Sequence, residues 1–458
     1  MSRKRSRKRK ADELEVPKLE ALEQINLNAA GLDIGDDDIY VAVPEGRDEV
    51  SVRVFHTFTR DLYALADWLE ACGVETVAME STGVYWIPTY EILEERGFEV
   101  YLVNARDVKN VPERKTDILD CQWIQQLHTY GLLRPSFRPP EEICALRALV
   151  RHRDSLIRSC GAEIQRMQKA LQQMNVKLTN VISDITGVTG MNIIRDIVGG
   201  ERDPHDLAKH RDFRCKKSEE EIAKSLEGNY KPEHIFALKQ ALEAYDFYRG
   251  QIKACDVEIE KQYKTFEPKV DVTEHPLEPG KQTNPRGNEP DFDLRLHLYQ
   301  MGGVDLTRIP GINVLTVQKV LSETGVDMSA WPTVKHFASW LSLCPHNDKT
   351  GGKVIRSKTK KTQNRAAAAL RMSVQSLFHS KSALGGYYRS MRAKLGKPEA
   401  VTATAHKLAR IIYAMLKNQT EYRDPAEGYY EGQAGQRAIN NLKRKAKKMG
   451  FELVPNQA

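Results

Sequence analysis

No stretch of this 458-residue chain approaches the roughly 20 consecutive apolar residues that a membrane-spanning helix needs. A secretory signal is missing too: the basic run Ser2 to Lys10 leads into an acidic, polar stretch rather than an apolar core. The seven cysteines, Cys72, Cys121, Cys144, Cys160, Cys215, Cys255 and Cys344, are odd in number and scattered, with no C-x-x-C pair. That pattern predicts a reduced, cytoplasmic protein without disulfides or a zinc site. Bulk positive charge is lacking as well. The net charge is +7, yet Arg3, Lys4, Arg5, Arg7, Lys8, Arg9 and Lys10 account for all of it. Any further basic surface must therefore come from local clustering.

What the chain does have is a set of four acids in its first quarter. Asp33 lies at the end of the apolar run Ala29 to Gly35, and Glu80 closes Val74 to Glu80; both runs read as strands. Asp117 and Asp120 are three apart, which puts them on one face of a helix starting near residue 115. Singly, each acid reads most simply as a turn residue, a cap or a solvated face. Together, at strand ends and on one helix, they form a cluster that repels itself unless something positive stands among them. Hard divalent cations, Mg²⁺ or Mn²⁺, prefer carboxylate oxygen and assist phosphoryl transfer, so polynucleotide cleavage or joining is the leading reaction class.

The intervening sequence supplies the frame. Ile39 to Val43 and Val52 to Phe58 read as a hairpin around Pro44 to Asp48. A helix near 60–72, the Glu80 strand, a helix near 86–96 and the strand Glu99 to Val103 follow. A hairpin succeeded by strand–helix alternation predicts an α/β domain with a ribonuclease-H-like sheet. From Glu141 the apolar period becomes helical, through Leu146, Leu149, Leu156, Cys160, Met167, Leu171, Met174 and Leu178, and again through Ile235, Leu238, Leu242, Tyr245, Ile252, Cys255, Ile259 and Tyr263. This predicts an antiparallel coiled-coil arm, as a spacer or for self-association. Arg147, Arg151, Arg153, Arg158, Arg166 and Lys169 on its first helix read as a solvated face or as a track for a phosphate backbone. The Pro- and Gly-rich stretch near 267–290 reads as a linker. The expected domains are thus a basic disordered tail (1–27), an α/β catalytic domain (28–140), a helical coiled-coil region (141–266), a linker (267–292), an all-α C-terminal domain (293–422) and a basic C-terminal tail (423–458).

Within the C-terminal domain, Ile309-Pro-Gly-Ile312 before a helix resembles the turn of a helix-hairpin-helix, whose backbone N–H groups grip phosphate. Between Lys349 and Arg365 the acids disappear. Lys349, Lys353, Arg356, Lys358, Lys360, Lys361 and Arg365 surround Thr350-Gly351-Gly352, a hinge suited to close approach to a phosphodiester. Walker spacing is absent, which argues against a nucleoside triphosphatase.

Taken with Asp33-Ile-Gly35, Glu80-Ser-Thr-Gly-Val-Tyr-Trp86, Lys115-Thr-Asp-Ile-Leu-Asp120 and Ala405-His-Lys-Leu-Ala-Arg410, these features resemble the DEDD transposases of the IS110 group of bacterial insertion sequences, over residues 28–422. The resemblance implies a RuvC-like domain and a C-terminal transposase domain that jointly build the active site of a DNA recombinase. It implies metal binding by Asp33, Glu80, Asp117 and Asp120, and a hydroxyl nucleophile in the C-terminal domain that links covalently to DNA. It also implies a structured non-coding RNA that pairs with target and donor DNA; strand exchange at several cut sites then favours a homodimer or homotetramer, acting in the bacterial cytoplasm at the nucleoid. This chain departs from the pattern at the nucleophile, where Thr350 stands in place of the family's serine. Its extra methyl crowds an in-line attack, so Thr350, a nearby serine such as Ser357, or an impaired reaction are the alternatives. A RuvC-like hydrolytic nuclease using water, or a nucleic-acid-binding protein without catalysis, are the competing functions.

Overall fold

The computed structural model describes residues 23–81, 83–104, 108, 116–280, 287–425, 429–452 and 454. The basic N-terminal run, Lys115 and residues 281–286 of the expected linker lie outside them. The chain divides into two compact units at Arg138/Pro139. Among the described residues no helix is long and apolar enough to cross a membrane.

The N-terminal unit is built on five strands: β1 (Ala29–Ile34), β2 (Asp38–Ala42), β3 (Val52–His56), β4 (Thr76–Glu80) and β5 (Glu99–Val103), in the order β3-β2-β1-β4-β5. β2 and β3 form the expected hairpin, antiparallel to each other and to β1, while β4 and β5 run parallel to β1. Period-two alternation divides the central strands between two cores. Leu32 and Ile34 of β1 and Val77 and Met79 of β4 join Leu62, Leu65 and Leu69 of α1 (Thr59–Ala71) and Leu93 of α2 (Trp86–Glu95). Ala78 of β4 and Val103 of β5 turn to the opposite face. There they meet Trp123, Ile124 and Leu127 of α3 (Asp117–Thr129).

α3 lies almost in contact with the β1 backbone because Gly31 leaves room for it. A Cβ at position 31 would stand 2.2 Å from the Gln125 backbone nitrogen and 2.4 Å from the Cys121 carbonyl oxygen. The Gln125 side-chain amide also donates to the Ala29 carbonyl at 3.3 Å. Ala29 thus faces the middle of the helix, and the chain end of β1 runs toward the N-terminus of α3.

In the C-terminal unit, α4 (Glu141–Gln173) and α5 (Pro232–Thr265) are the two long helices that the apolar period predicts. They pack antiparallel. The Gln262 amide reaches the Glu142 carbonyl at one end (3.3 Å), Arg153 pairs with Asp256 further along, and Met167 and Leu171 share a core with Leu238 and Leu242 at the other. Short helices between them close that far end with Ile193, Ile194, Ile197, Leu207 and Ile222.

After α5 the described part of the expected linker contains neither helix nor strand, but it is tied down. Lys269 N–H donates to the Gln300 carbonyl (2.8 Å), and Tyr299 donates to that of His275 (3.3 Å). Helices α6 (Leu294–Gly302), α7 (Val314–Thr324), α8 (Val334–Trp340), α9 (Arg365–Ser373), α10 (Ala383–Leu395), α11 (Lys397–Asn418) and α12 (Tyr429–Lys448) make up the rest, with a hairpin of β6 (Pro345–Thr350) and β7 (Lys353–Thr359) between α8 and α9. Two features add to expectation: the Gly-Gly hinge joins two strands of a β-hairpin within the otherwise helical C-terminal domain, and the basic C-terminal tail contains the helix α12.

Candidate active site

Asp33 and Glu80 are brought side by side by strand register. Leu32 of β1 is paired with Met79 of β4, so the next residue of each strand stands at the same level, on the face that α3 covers. α3 begins at that edge with Asp117 and Asp120 in its first turn, capped by the Thr116 hydroxyl, which accepts from Leu119 N–H (3.4 Å). A helix N-terminus carries partial positive charge and offsets part of the repulsion among acids gathered there.

The electrostatics record the convergence. The Asp33 carboxyl is raised from an ordinary 3.8 to about 6, by burial first and then by the charges of Asp120, Asp117 and Glu80, while the Ile34 N–H opposes them. Next to it, burial and then the Asp33 charge push the Cys121 thiol up to about 12, so that thiol stays protonated. The other three acids predicted from sequence therefore all act on Asp33. Among the described residues no three acid, His or Cys side chains stand together as a ready set of metal ligands. The donors are all hard carboxylate oxygens, a set that fits Mg²⁺ or Mn²⁺ and not a soft metal.

The second group lies within the C-terminal unit. Gly351 and Gly352 both have positive φ (55° and 78°), which makes a two-residue turn of the primed kind, and Thr350 is the last strand residue before it, paired with Lys353. Thr350, Lys349, Lys353, Arg356 and Lys358 are exposed along the hairpin, with Lys360, Lys361 and Arg365 following on exposed backbone. The register slips by one residue: Asp348 faces Arg356 and Lys349 faces Val354, so Ile355 is an unpaired bulge. Ser357 also lies in β7, opposite Asn347 and away from the tip.

Most of the arginine row of α4 is paired within the C-terminal unit. Arg151 makes a two-pronged pair with Glu323 of α7 (2.9 and 2.7 Å), and Arg147 donates to the Ser322 and Glu323 carbonyls (3.2 and 2.7 Å). Arg153 is buried against Asp256, and Arg166 pairs with Glu163. Arg147, Arg151 and Arg153 tie α4 to α7 and α5; Arg151, Arg158, Arg166 and Lys169 are the exposed cations of the set, and of these Arg151 and Arg166 already face carboxylates. Sequence reasoning also missed Gly31, the residue that lets α3 approach; a lone glycine inside a strand was the available signal.

Comparison with known families decides the class. Residues 30–176 match the transposase model of the IS110-type DEDD enzymes, and residues 305–389 match the transposase model of the IS116/IS110/IS902 family. Together they take in just over half of the chain, including all four acids and Thr350. This chain belongs to the IS110 family of transposases. It is a DEDD-type DNA transposase and recombinase, DNA is its substrate, and enzymes of this kind use divalent metal ions. The α/β N-terminal unit and helical C-terminal unit are those expected of such a transposase. No curated protein matches the chain significantly.

Proposed function

We propose that residues 28–140 form the RuvC-like catalytic domain of this transposase, with Asp33, Glu80, Asp117 and Asp120 holding Mg²⁺ or Mn²⁺, and that residues 293–422 contribute Thr350 as nucleophile. The observation that carries the reading is the elevated Asp33 carboxyl, raised by burial and by three further acids at one edge of the sheet. Bound there, the metal would polarise a scissile phosphate and stabilise a departing oxygen. In the attack, a bond forms between Thr350 Oγ and phosphorus, and the bond from phosphorus to the 3′ oxygen breaks. The hydroxyl proton leaves Thr350, and one proton arrives on the 3′ oxygen through solvent. Lys349, Lys353 and Arg356 stabilise the growing charge on the phosphoryl oxygens, and Gly351 and Gly352 let the backbone approach the strand.

Lys358 of the hairpin and Lys360, Lys361 and Arg365 just after it recognise phosphate, which carries no sequence information. Specificity then has to come from elsewhere, and a structured non-coding RNA that pairs with target and element-end DNA supplies it. Strand exchange needs several cut sites, which favours a homodimer or homotetramer as the working form in the bacterial cytoplasm, at the nucleoid.

The test is a denaturing gel after incubation with element-end DNA, the RNA encoded beside the gene, and Mg²⁺. Wild type and Thr350→Ser yield DNA linked to protein, and Thr350→Ala does not. Asp33→Ala and Asp120→Ala give no cleavage while still binding RNA. Free cut ends without adduct would mean a hydrolytic nuclease, and an adduct surviving in Thr350→Ala would move the nucleophile to another hydroxyl.

A further inference from the structure

The hairpin of β6 and β7 carries something that phosphate binding does not require. Its side chains are exposed along nearly its whole length, and its cations leave no doubt about the sign of its partner's charge. Yet two adjacent apolar residues stand among them close to the tip: Val354 is 52% and Ile355 70% exposed. Leaving an isoleucine in water forgoes about 1.5–3 kcal/mol relative to burying it, and apolar groups on a free strand invite unwanted pairing. Lysine at either position would serve a phosphate better.

The register shows how Ile355 comes to be there. It is the extra residue of the bulge, between the Asp348–Arg356 and Lys349–Val354 pairs, and a bulge re-aims a side chain that a regular ladder would direct elsewhere. Only two pairs separate it from the Gly351-Gly352 turn. Such a two-stranded ribbon is of a size that a DNA groove admits. β-ribbons enter the minor groove as well, and apolar side chains carried there by flanking cations act on bases by entering between stacked steps.

We infer that Ile355, supported by Val354, is a wedge that unstacks a base step of the DNA bound by this hairpin. The inference rests on the proposed role of the hairpin as a DNA-contacting element and deepens it: the preferred substrate is duplex that is already distorted or easily unstacked. The cations hold the backbone, the bulge aims the isoleucine, and the opened step exposes the phosphate beside it to the tip.

The test uses full-length protein in EDTA, so that no strand is cut, and two fluorescein-labelled duplexes of about 30 base pairs, roughly three helical turns. They share one arbitrary sequence, and one carries two adjacent central mismatches. Unstacking costs a few kcal/mol per step and least at a mismatch, so fluorescence anisotropy should show wild type binding the mismatched duplex about fivefold to tenfold more tightly. Ile355→Ser should bring that ratio close to one, and Ile355→Leu should retain it. The side chain is exposed, so thermal unfolding of Ile355→Ser should match wild type. Lys353→Ala and Lys358→Ala should weaken both duplexes equally and lower the salt slope by about one each.

A wild-type ratio near one, or a ratio that survives Ile355→Ser, overturns the wedge. Ile355→Ser that changes the oligomeric mass in sedimentation while leaving the ratio intact overturns it in favour of a protein contact. If the lysine variants change nothing, the hairpin does not contact DNA, and it is the underlying reading that fails. Thr350→Ala leaves the ratio unchanged, so failure of the nucleophile assignment registers on the gel and not here.

Discussion

Replacing Asp33 with asparagine should make the metal-free protein more stable, and by an amount that depends on pH. The folded state raises the Asp33 carboxyl from 3.8 to about 6, through burial first and then through Asp120, Asp117 and Glu80. The folded protein therefore holds that proton more tightly than the unfolded chain does. Below pH 3.8 both states are protonated and the group costs nothing. As pH rises from 3.8 to about 6 stability is lost, and above pH 6 the full penalty applies. At about 1.4 kcal/mol per pH unit the ceiling is roughly 3 kcal/mol. Asp33 is only half-buried, and solvent screening reduces this to about 1–2 kcal/mol. Asparagine keeps the shape and never ionises. In differential scanning calorimetry without divalent ions, Asp33→Asn should melt several degrees above wild type at pH 7.5, by about 4 °C per kcal/mol, and the gap should shrink toward zero near pH 4. Other acids titrate over the same range, but they do so in both proteins and cancel in the difference. Added Mg²⁺ should raise the wild-type midpoint at pH 7.5 and move the variant much less. A variant no more stable than wild type at pH 7.5, or a gap that ignores pH, would refute the electrostatic account of the cluster.

Gly31→Ala places a methyl 2.2 Å from the α3 backbone, where no flexible side chain can yield. It should cost at least about 3 kcal/mol and speed hydrogen exchange in α3 before any other helix of its unit. Arg153→Ala leaves the Asp256 carboxylate partly buried and alone, for a loss of about 3–5 kcal/mol in urea unfolding; replacing both with leucine should recover most of it. Arg151→Ala should destabilise the protein but leave the salt slope of RNA binding unchanged, whereas Arg158→Ala and Lys169→Ala should do the reverse. An Arg151 variant with a reduced slope would restore α4 as a nucleic-acid track.

The strand and helix positions of the four acids were legible from sequence because each acid has a local cause. Asp33 and Glu80 terminate apolar strands whose β-propensity is unambiguous, and Asp117 and Asp120 share a helical face, so topology alone carries them to one edge. The two long helices were legible for the same reason, since a sustained period of 3.6 has few other readings. Pro345 to Thr350 gave no comparable signal. Its six residues are all exposed and polar or proline, without the apolar alternation that marks a strand, and only the Gly-Gly pair hinted at a hairpin. Charge was the least legible. A row of arginines on α4 reads alike whether water or a carboxylate meets it, and the acids that meet Arg153 and Arg151 are 103 and 172 residues away in sequence.

The two basic elements thus separate by what lies opposite each cation. On α4, Glu323, Asp256 and Glu163 already pair with Arg147, Arg151, Arg153 and Arg166, so a polyanion approaching those four would have to displace ion pairs before gaining any contact. On the hairpin only Asp348 is acidic. It faces Arg356 across the ladder, and no other carboxylate occurs before the chain enters α9. Counterions held by such an uncompensated cluster are released when phosphate replaces them, which is the source of salt-dependent affinity. The hairpin, rather than the larger number of arginines on the long helix, is therefore where this transposase should take hold of a nucleic-acid backbone.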